Sequence, residues 1–487
     1  MSNRPNILFL MADQMQARVL DPDHVCQTPH LDRLAGEGVR FTRAYTPNNI
    51  CSPTRASLMT GLMPHNHGVL EVLYPKVPDL HALRTDKVHW AERMVDAGYR
   101  TGYFGKWHVE RDNALDRFGW QVNGVRGGAL FNELVAEVLG DKPLRPECDP
   151  AHYLEEPHGY GPHLLYGVTD RPAAERSMGL TTTLALRYLE EVVQGDDPWC
   201  AFVSFEEPHD PFIASREFYG RYAEQELPPP PNADDDLADR PGLYRRAQGI
   251  WRQLNEEHKR TARACYFASI SEIDAQFGRV IDFLEEMGKL DDTIIVMCAD
   301  HGDLLGAHGL FFKDISAFEE VYQVPLIVHG PRIARGAVCQ GRVGLHDLCP
   351  TLLELADCEP VDGADARSFV GLLREPADVA DEWTRGYAEY FGNRHRLTQR
   401  VVWDGPWKFV FNGFDFDELY QLDEDPYEMK NLAQDPAYDE QVKKMTRLYW
   451  RYARDTGDTP LFETLYPALR LGAVGPLAAD ENEISQK

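Results

Sequence analysis

Cys51-Ser52-Pro53-Thr54-Arg55 brings a small potential nucleophile, a helix-starting proline and a permanent cation within five residues. Proline suits the first helical position, where its missing N–H is not needed, so Thr54 to Thr60 reads as a short helix stopped by Gly61. Cys51 then stands at the helix's positive end, where backbone N–H groups and the dipole favour an anion. Arg55, a turn further on, adds a planar fork of donors. Alone, these residues do not outweigh the ordinary reading of a cysteine as an inert buried hydrophobe. Their company does. Asp13-Gln14, Lys106 with His108, His209, and Asp300-His301-Gly302-Asp303 each follow an apolar or β-rich run, at the carboxyl end of what reads as a buried strand. Lys106 and His108, two apart on an extended segment, point to the same side.

Cys51-x-Pro53-x-Arg55, continued by Ala56-Ser57-Leu58-Met59-Thr60-Gly61, resembles the signature of the sulfatase family. The resemblance extends to Gly105-Lys106-Trp107-His108, to Pro208-His209-Asp210-Pro211-Phe212 and to Asp300-His301-Gly302 with Gly306-Ala307-His308-Gly309 and Lys313. It implies that Cys51 is oxidised by a formylglycine-generating maturation enzyme to an aldehyde that hydrates to a geminal diol. One hydroxyl attacks sulfur and expels the alcohol; loss of the other's proton lets sulfate leave and regenerates the aldehyde. By the same resemblance Lys106 contacts the sulfate and diol, His108 accepts the diol proton, His209 contacts the sulfate, and Lys313 contacts the sulfate and leaving group. Asp13, Asp300 and His301, with Gln14, become ligands of one divalent cation.

Two carboxylates, an amide and an imidazole suit a hard or borderline ion. Much of the family has Asp-Asp and Asp-Asn where this chain has Asp13-Gln14 and Asp300-His301. The two departures occur together in the choline-sulfatase and phosphonate monoester hydrolase branch, and the imidazole moves the preference from Ca²⁺ towards Mn²⁺. The resemblance thus implies a sulfuric-ester hydrolase acting on a small-molecule sulfate ester. A phosphonate monoester or phosphodiester hydrolase with the same nucleophile is the alternative, and the Lys106-x-His108 element favours the former. The alcohol half of the ester, choline, aryl or sugar, stays open.

Strand–helix–strand order opens the chain: the apolar run Asn6–Ala12, a helix from Thr28-Pro29 to Glu37 stopped by Gly38, then Val39–Tyr45. This predicts an α/β fold with a large, mostly parallel sheet sandwiched by helices, whose ligands lie outside the carboxyl ends of its strands. Helices are expected at Val88–Ala97, Leu180–Val193, Thr261–Met287 and Leu345–Ala356, and strands at Tyr99–Phe104, Trp199–Phe205 and Thr293–Ala299. Gly124–Tyr166 shows no clear period and reads as loops over the site. Four prolines and four aspartates make Leu227–Arg240 an extended surface loop. Short β-like runs at Gly386–Phe391, Gln399–Asp404, Trp407–Phe411 and Glu418–Gln421, followed by a helix near Tyr438–Asp455, predict a small antiparallel C-terminal sheet. Residues 1–375 are therefore expected to form the catalytic domain and 376–487 a small α+β subdomain. The polar tail Ala478–Lys487 reads as disordered.

At 487 residues the chain exceeds the roughly 250–300 at which single cores stop growing. Its 50 Lys+Arg against 78 Asp+Glu give a net charge of −28, which argues against nucleic acid or an anionic membrane as partner. An anionic substrate then needs a local cationic pocket. Nine scattered cysteines without CxxC spacing read as reduced thiols. The apolar run near the N-terminus is too short for a membrane span and lacks the form of a signal peptide, so the expectation is a cytoplasmic protein. Homo-oligomerisation is left open.

Overall fold

Strand Asn6–Asp13 alternates its side chains between two cores. Leu8, Leu10 and Ala12 pack on one face, while Ile7, Phe9 and Met11 pack on the other. A strand covered on both faces needs an almost continuous apolar sequence, which is what residues 7–12 supply. The computed structural model describes residues 4–480 apart from 74–82, 85, 111, 112, 314, 394, 459–461, 463–466, 468 and 469.

Around that strand the main sheet runs, edge to edge, Ala337–Cys339, Val39–Tyr45, Gln323–His329, Thr293–Ala299, Asn6–Asp13, Trp199–Pro208, Arg100–Gly105 and Val122–Val125, with Val343–Gly344 also pairing to Val39–Tyr45. Every pairing is parallel except the two made by Gln323–His329. One face is covered by Pro29–Glu37, Ser177–Val192 and the 31-residue helix Glu256–Glu286. The other carries Cys51–Thr60, Trp90–Asp96 and Leu348–Leu355. The mostly parallel α/β class is thus observed, and the expected C-terminal sheet is present: Arg385–Tyr390, Gln399–Asp404, Trp407–Asn412 and Glu418–Gln421 form an antiparallel meander packed against helix Asp439–Thr456.

Several sequence expectations are corrected. The signature helix begins at Cys51, with Ile50 as its N-cap, so Pro53 sits in the third position rather than the first. The first four N–H groups of a helix have no intrahelical partner, so proline costs nothing there. Gly61 does end the helix, in the left-handed conformation (φ 71°). The 124–166 region is not all loop. It contains helix Ala129–Leu139, which buries Phe131, Leu134 and Leu139, and the strands Ala151–Leu154 and His163–Thr169, joined by Phe212–Ser215 in a three-stranded sheet. The proline- and aspartate-rich segment 227–240 is a loop with exposed residues, as expected, but it is pinned into the fold at several points. Asn232, Leu237 and Arg240 are buried, because Asn232 Nδ2 donates to Glu320 Oε1 (2.9 Å) and Asp235 pairs with His308 Nδ1 (2.7 Å). Of the tail, Pro476–Ala478 is a short 3-10 turn, and 481–487 lie outside the described residues.

No helix among the described residues is long and apolar enough to cross a membrane. All nine cysteines are free thiols.

Candidate active site

Four neighbouring parallel strands deliver the polar residues. In sheet order, Thr293–Ala299 leads into Asp300, Asn6–Asp13 ends on Asp13, Trp199–Pro208 leads into His209, and Arg100–Gly105 leads into Lys106. All four chain ends emerge at the carboxyl edge of the sheet, where open α/β sheets place their ligands. The N-terminus of helix Cys51–Thr60 meets them there.

The centre is a set of four ligand-type atoms from Asp13, Cys51, Asp300 and His301, all within 4.8 Å of one another and all from buried residues. Arg55 organises the two carboxylates from behind. Its Nε donates to Asp300 Oδ2 (2.7 Å) and its Nη2 to Asp13 Oδ2 (3.2 Å), while Nη1 donates to Ser204 Oγ (2.8 Å) and the Lys106 carbonyl (3.0 Å). The Oδ2 atoms are thereby occupied, and the Oδ1 atoms lie on the His301 side, that of Asp300 also accepting the backbone N–H groups of Gln14 (3.1 Å) and His301 (3.0 Å). His301 Nδ1 donates to the Gly302 carbonyl (2.9 Å), which fixes the tautomer and leaves the Nε2 lone pair on the inner side. That Nε2 lies 3.6 Å from Asp13 Oδ1, 3.7 Å from Asp300 Oδ1 and 3.1 Å from Cys51 Sγ. Two inward oxygens and an imidazole lone pair fit a divalent cation.

The electrostatics agree with that fit. Burial and the adjoining Asp13 charge raise the Asp300 carboxyl, the strain that a cation between the two would relieve. Burial and Cys51 also act to raise Asp13, but Lys106, His209 and Arg55 outweigh them and hold it well below the ordinary carboxylate range. For Cys51, burial is overcome by Lys106, Lys313 and His301, and the thiol falls far below its usual value.

Gln14 is turned otherwise than its expected ligand role suggests. Its Nε2 donates to Asp303 Oδ2 (2.6 Å) and Asp210 Oδ1 (3.3 Å), and its Oε1 accepts from Lys313 Nζ (3.1 Å). Lys313 Nζ also reaches Cys51 Sγ (3.1 Å) and His209 Nε2 (2.6 Å). Asp210, Asp13 and Cys51 favour protonated His209 and, against burial and Lys313, raise it to about 9. The 2.6 Å contact, however, admits only one donor, so here the ammonium donates and Nε2 accepts. An anion placed between them would let both carry charge.

Cys51, Lys106, His108, His209 and Lys313 line a cavity of about 470 Å³ open to the surface. His108 is not on an extended segment: its φ of 58° turns the chain, and it reaches the same cavity as Lys106 by that turn rather than by strand alternation. Burial and the Lys106 ammonium lower the His108 imidazole, leaving it neutral. Arg55 does not line the cavity; it lies beneath it, 1% exposed.

Sequence reading passes over other residues here. Asp303 and Asp210 stand beside recognised ones without a role, and Trp251, Phe312 and Asn393, which line the same cavity, carry no signal of their own.

Comparison with known proteins bears on this geometry. Residues 5–358 match the sulfatase family, and residues 306–454 match the C-terminal region described for N-sulphoglucosamine sulphohydrolase. The chain belongs to the sulfatase family. Among relatives of this sulfatase, the choline-sulfatase of Rhizobium meliloti is 31% identical, covering 89% of this chain and 83% of that protein. The arylsulfatase of Clostridium perfringens is 28% identical, covering 91% and 93%. Two solved phosphonate monoester hydrolases share the fold. The one from Silicibacter pomeroyi has a TM-score of 0.76 at 24% identity, covering 96% and 98%, and the one from Agrobacterium radiobacter 0.77 at 23%, covering 93% and 96%. The family and these relatives make the protein a sulfatase-type enzyme.

Proposed function

We propose that this sulfatase hydrolyses a sulfate monoester to an alcohol and inorganic sulfate, with residue 51 matured to formylglycine and one divalent cation held by Asp13, Asp300 and His301, while the Gln14 amide oxygen, expected as a further ligand, accepts from Lys313 instead. The observation that carries the reading is the position of Cys51 Sγ. It stands at a helix N-terminus, 3.1 Å from both Lys313 Nζ and His301 Nε2, at the floor of an open cavity. The sulfur occupies the place that the oxygens of a hydrated aldehyde would take. When present, that hydrate supplies the attacking hydroxyl, and the cation supplies Lewis acidity at a sulfuryl oxygen.

The chain's own groups then have separable tasks. Lys106, His209 and Lys313 surround the sulfuryl oxygens with donors, where charge held in a partly dry site is worth more than in water. Lys313, which follows the cavity-lining Phe312, also stabilises the departing alkoxide. Neutral His108 accepts a proton at the ring nitrogen facing residue 51 during release of sulfate. Arg55 holds the ligand carboxylates and keeps the nucleophile's floor cationic. The alcohol half lies against Trp251, Phe312 and Asn393.

The test is a panel assayed with protein co-expressed with a maturation enzyme: choline, aryl and sugar sulfates beside a phosphonate monoester and a phosphodiester. Sulfate-ester turnover should exceed the rest. A preference for the phosphonate monoester would transfer the same site to the alternative chemistry.

A further inference from the structure

Asp303 is fully buried, follows the motif Asp300-His301-Gly302, and touches neither the centre nor the cavity. Its two oxygens are spent in two directions. Oδ1 accepts the backbone N–H groups of Leu305 (2.6 Å) and Phe312 (3.2 Å), and Oδ2 accepts from Gln14 Nε2 (2.6 Å).

Both connections lead to Lys313. Phe312 precedes it and holds a left-handed backbone (φ 66°), a conformation that costs a bulky residue free energy and persists only where the surroundings impose it. The bond from the Phe312 N–H to Asp303 Oδ1 is one such constraint, and Leu304 N to Phe312 O (2.9 Å) closes the same loop. At the other end of the side chain, Lys313 Nζ donates to Gln14 Oε1. An amide can present oxygen or nitrogen at a given spot, and its partners decide which. Here the Gln14 nitrogen faces the carboxylates of Asp303 and Asp210, both acceptors only when ionised, so the oxygen must face the lysine. A reversed amide would set N–H against N–H at Lys313 and oxygen against oxygen at Asp303.

We infer that Asp303 is a positioning residue that holds Lys313 at residue 51, gripping the lysine's root through the Phe312 N–H and its tip through the orientation of the Gln14 amide. The inference rests on the proposed role of Lys313 at the sulfate, and extends it to a residue that contacts no substrate.

The experiment is a polarity exchange in the matured, metal-loaded enzyme, with kcat and KM measured separately and inorganic sulfate binding followed by calorimetry. Asp303→Asn keeps the volume but lets the Gln14 amide reverse, and kcat/KM should fall about 10–100-fold, the usual effect of losing a supporting partner. Gln14→Glu alone should also fall, since it sets a carboxylate against Asp303. Combining the two restores a donor opposite an acceptor. The amide nitrogen introduced at position 303 can donate to the carboxylate introduced at position 14, whose other oxygen accepts from Lys313. The double variant should therefore exceed Gln14→Glu in kcat/KM at least severalfold, with sulfate affinity recovering in parallel. Additive losses, or an Asp303→Asn enzyme equal to wild type, would overturn the assignment. If Asp303→Asn alone does not fold, the comparison of Gln14→Glu with the double variant still decides. A wild-type enzyme that hydrolyses no sulfate ester would instead remove the reading beneath it.

Discussion

Lys313 and Cys51 are 262 residues apart in the chain, yet the lysine's Nζ donates to the cysteine's Sγ across 3.1 Å. The contact joins the loop after one central strand to the first residue of a helix on the opposite edge of the cavity. It gives residue 51 a fixed cation before any substrate arrives. A preorganised charge of this kind needs no reorganisation during reaction.

Conversion of residue 51 is therefore the first prediction. Protein made with a maturation enzyme should show the mass of the Cys51 peptide shifted to the aldehyde, and activity should scale with that fraction. Full activity from protein carrying only the thiol would sink the mechanism.

Metal should be stoichiometric in active protein and removable by chelation, with loss of turnover. Arg55 holds both ligand carboxylates by a fork that lysine cannot reproduce, so Arg55→Lys should weaken cation affinity about 10–100-fold in calorimetric titration. Asp13 keeps its Lys106 partner, but Arg55→Ala leaves the buried Asp300 carboxylate without its cation and should destabilise the apo-protein by about 3–5 kcal/mol in chemical denaturation. An Arg55→Lys protein with unchanged cation affinity would show that the fork does not organise the ligands.

His108→Ala should reduce steady-state sulfate-ester turnover by about 10²–10⁴-fold. Because the proposed role is in release, rapid-mixing assays should show an initial burst of alcohol ahead of the slow phase. Wild-type turnover, or slow turnover without a burst, would assign the proton elsewhere.

A stability prediction lies outside the centre. His65 Nδ1 pairs with Glu389 Oε1 at 2.7 Å, and although burial acts to lower the imidazole, that bond and charge raise it to about 9. A folded value above the unfolded 6.5 means the pair's contribution is fully present below pH 6.5 and is lost as pH rises towards 9. At most it is worth about 3 kcal/mol. The melting-temperature gap between wild type and His65→Gln should accordingly be widest near pH 6 and close by pH 9; a gap independent of pH would show that His65 is neutral in the fold.

Elements whose burial is uniform are legible in the sequence. Thr293–Ala299 and Asn6–Asp13 fall where their apolar residues put them, and the residues at the ends of four such strands converge. Gln323–His329 escapes that reading because Pro325 interrupts an otherwise apolar run; the structure places it at a register shift, where a missing N–H is tolerated. His108 reaches the cavity for a reason other than the expected one, since local pattern does not reveal a left-handed residue. The buried roles of Asn232 and Asp235 are hidden for a different reason. Their partners, Glu320 and His308, lie 88 and 73 residues away, and composition alone makes such a segment read as solvent-exposed.

Asn393 reaches the cavity from the connection between the first two strands of the C-terminal sheet, Trp251 from the end of helix Gly242–Trp251, and Phe312 from the loop that carries Lys313. Asn393 and Trp251 thus come from stretches that carry none of Asp13, Asp300, Cys51 or Lys313. Such a layout separates the part of the enzyme that chooses an alcohol from the part that breaks the ester. Exchanging Asn393 can redirect the choice while the floor of the site keeps its chemistry, which makes that position the natural place to diversify when a new ester is wanted.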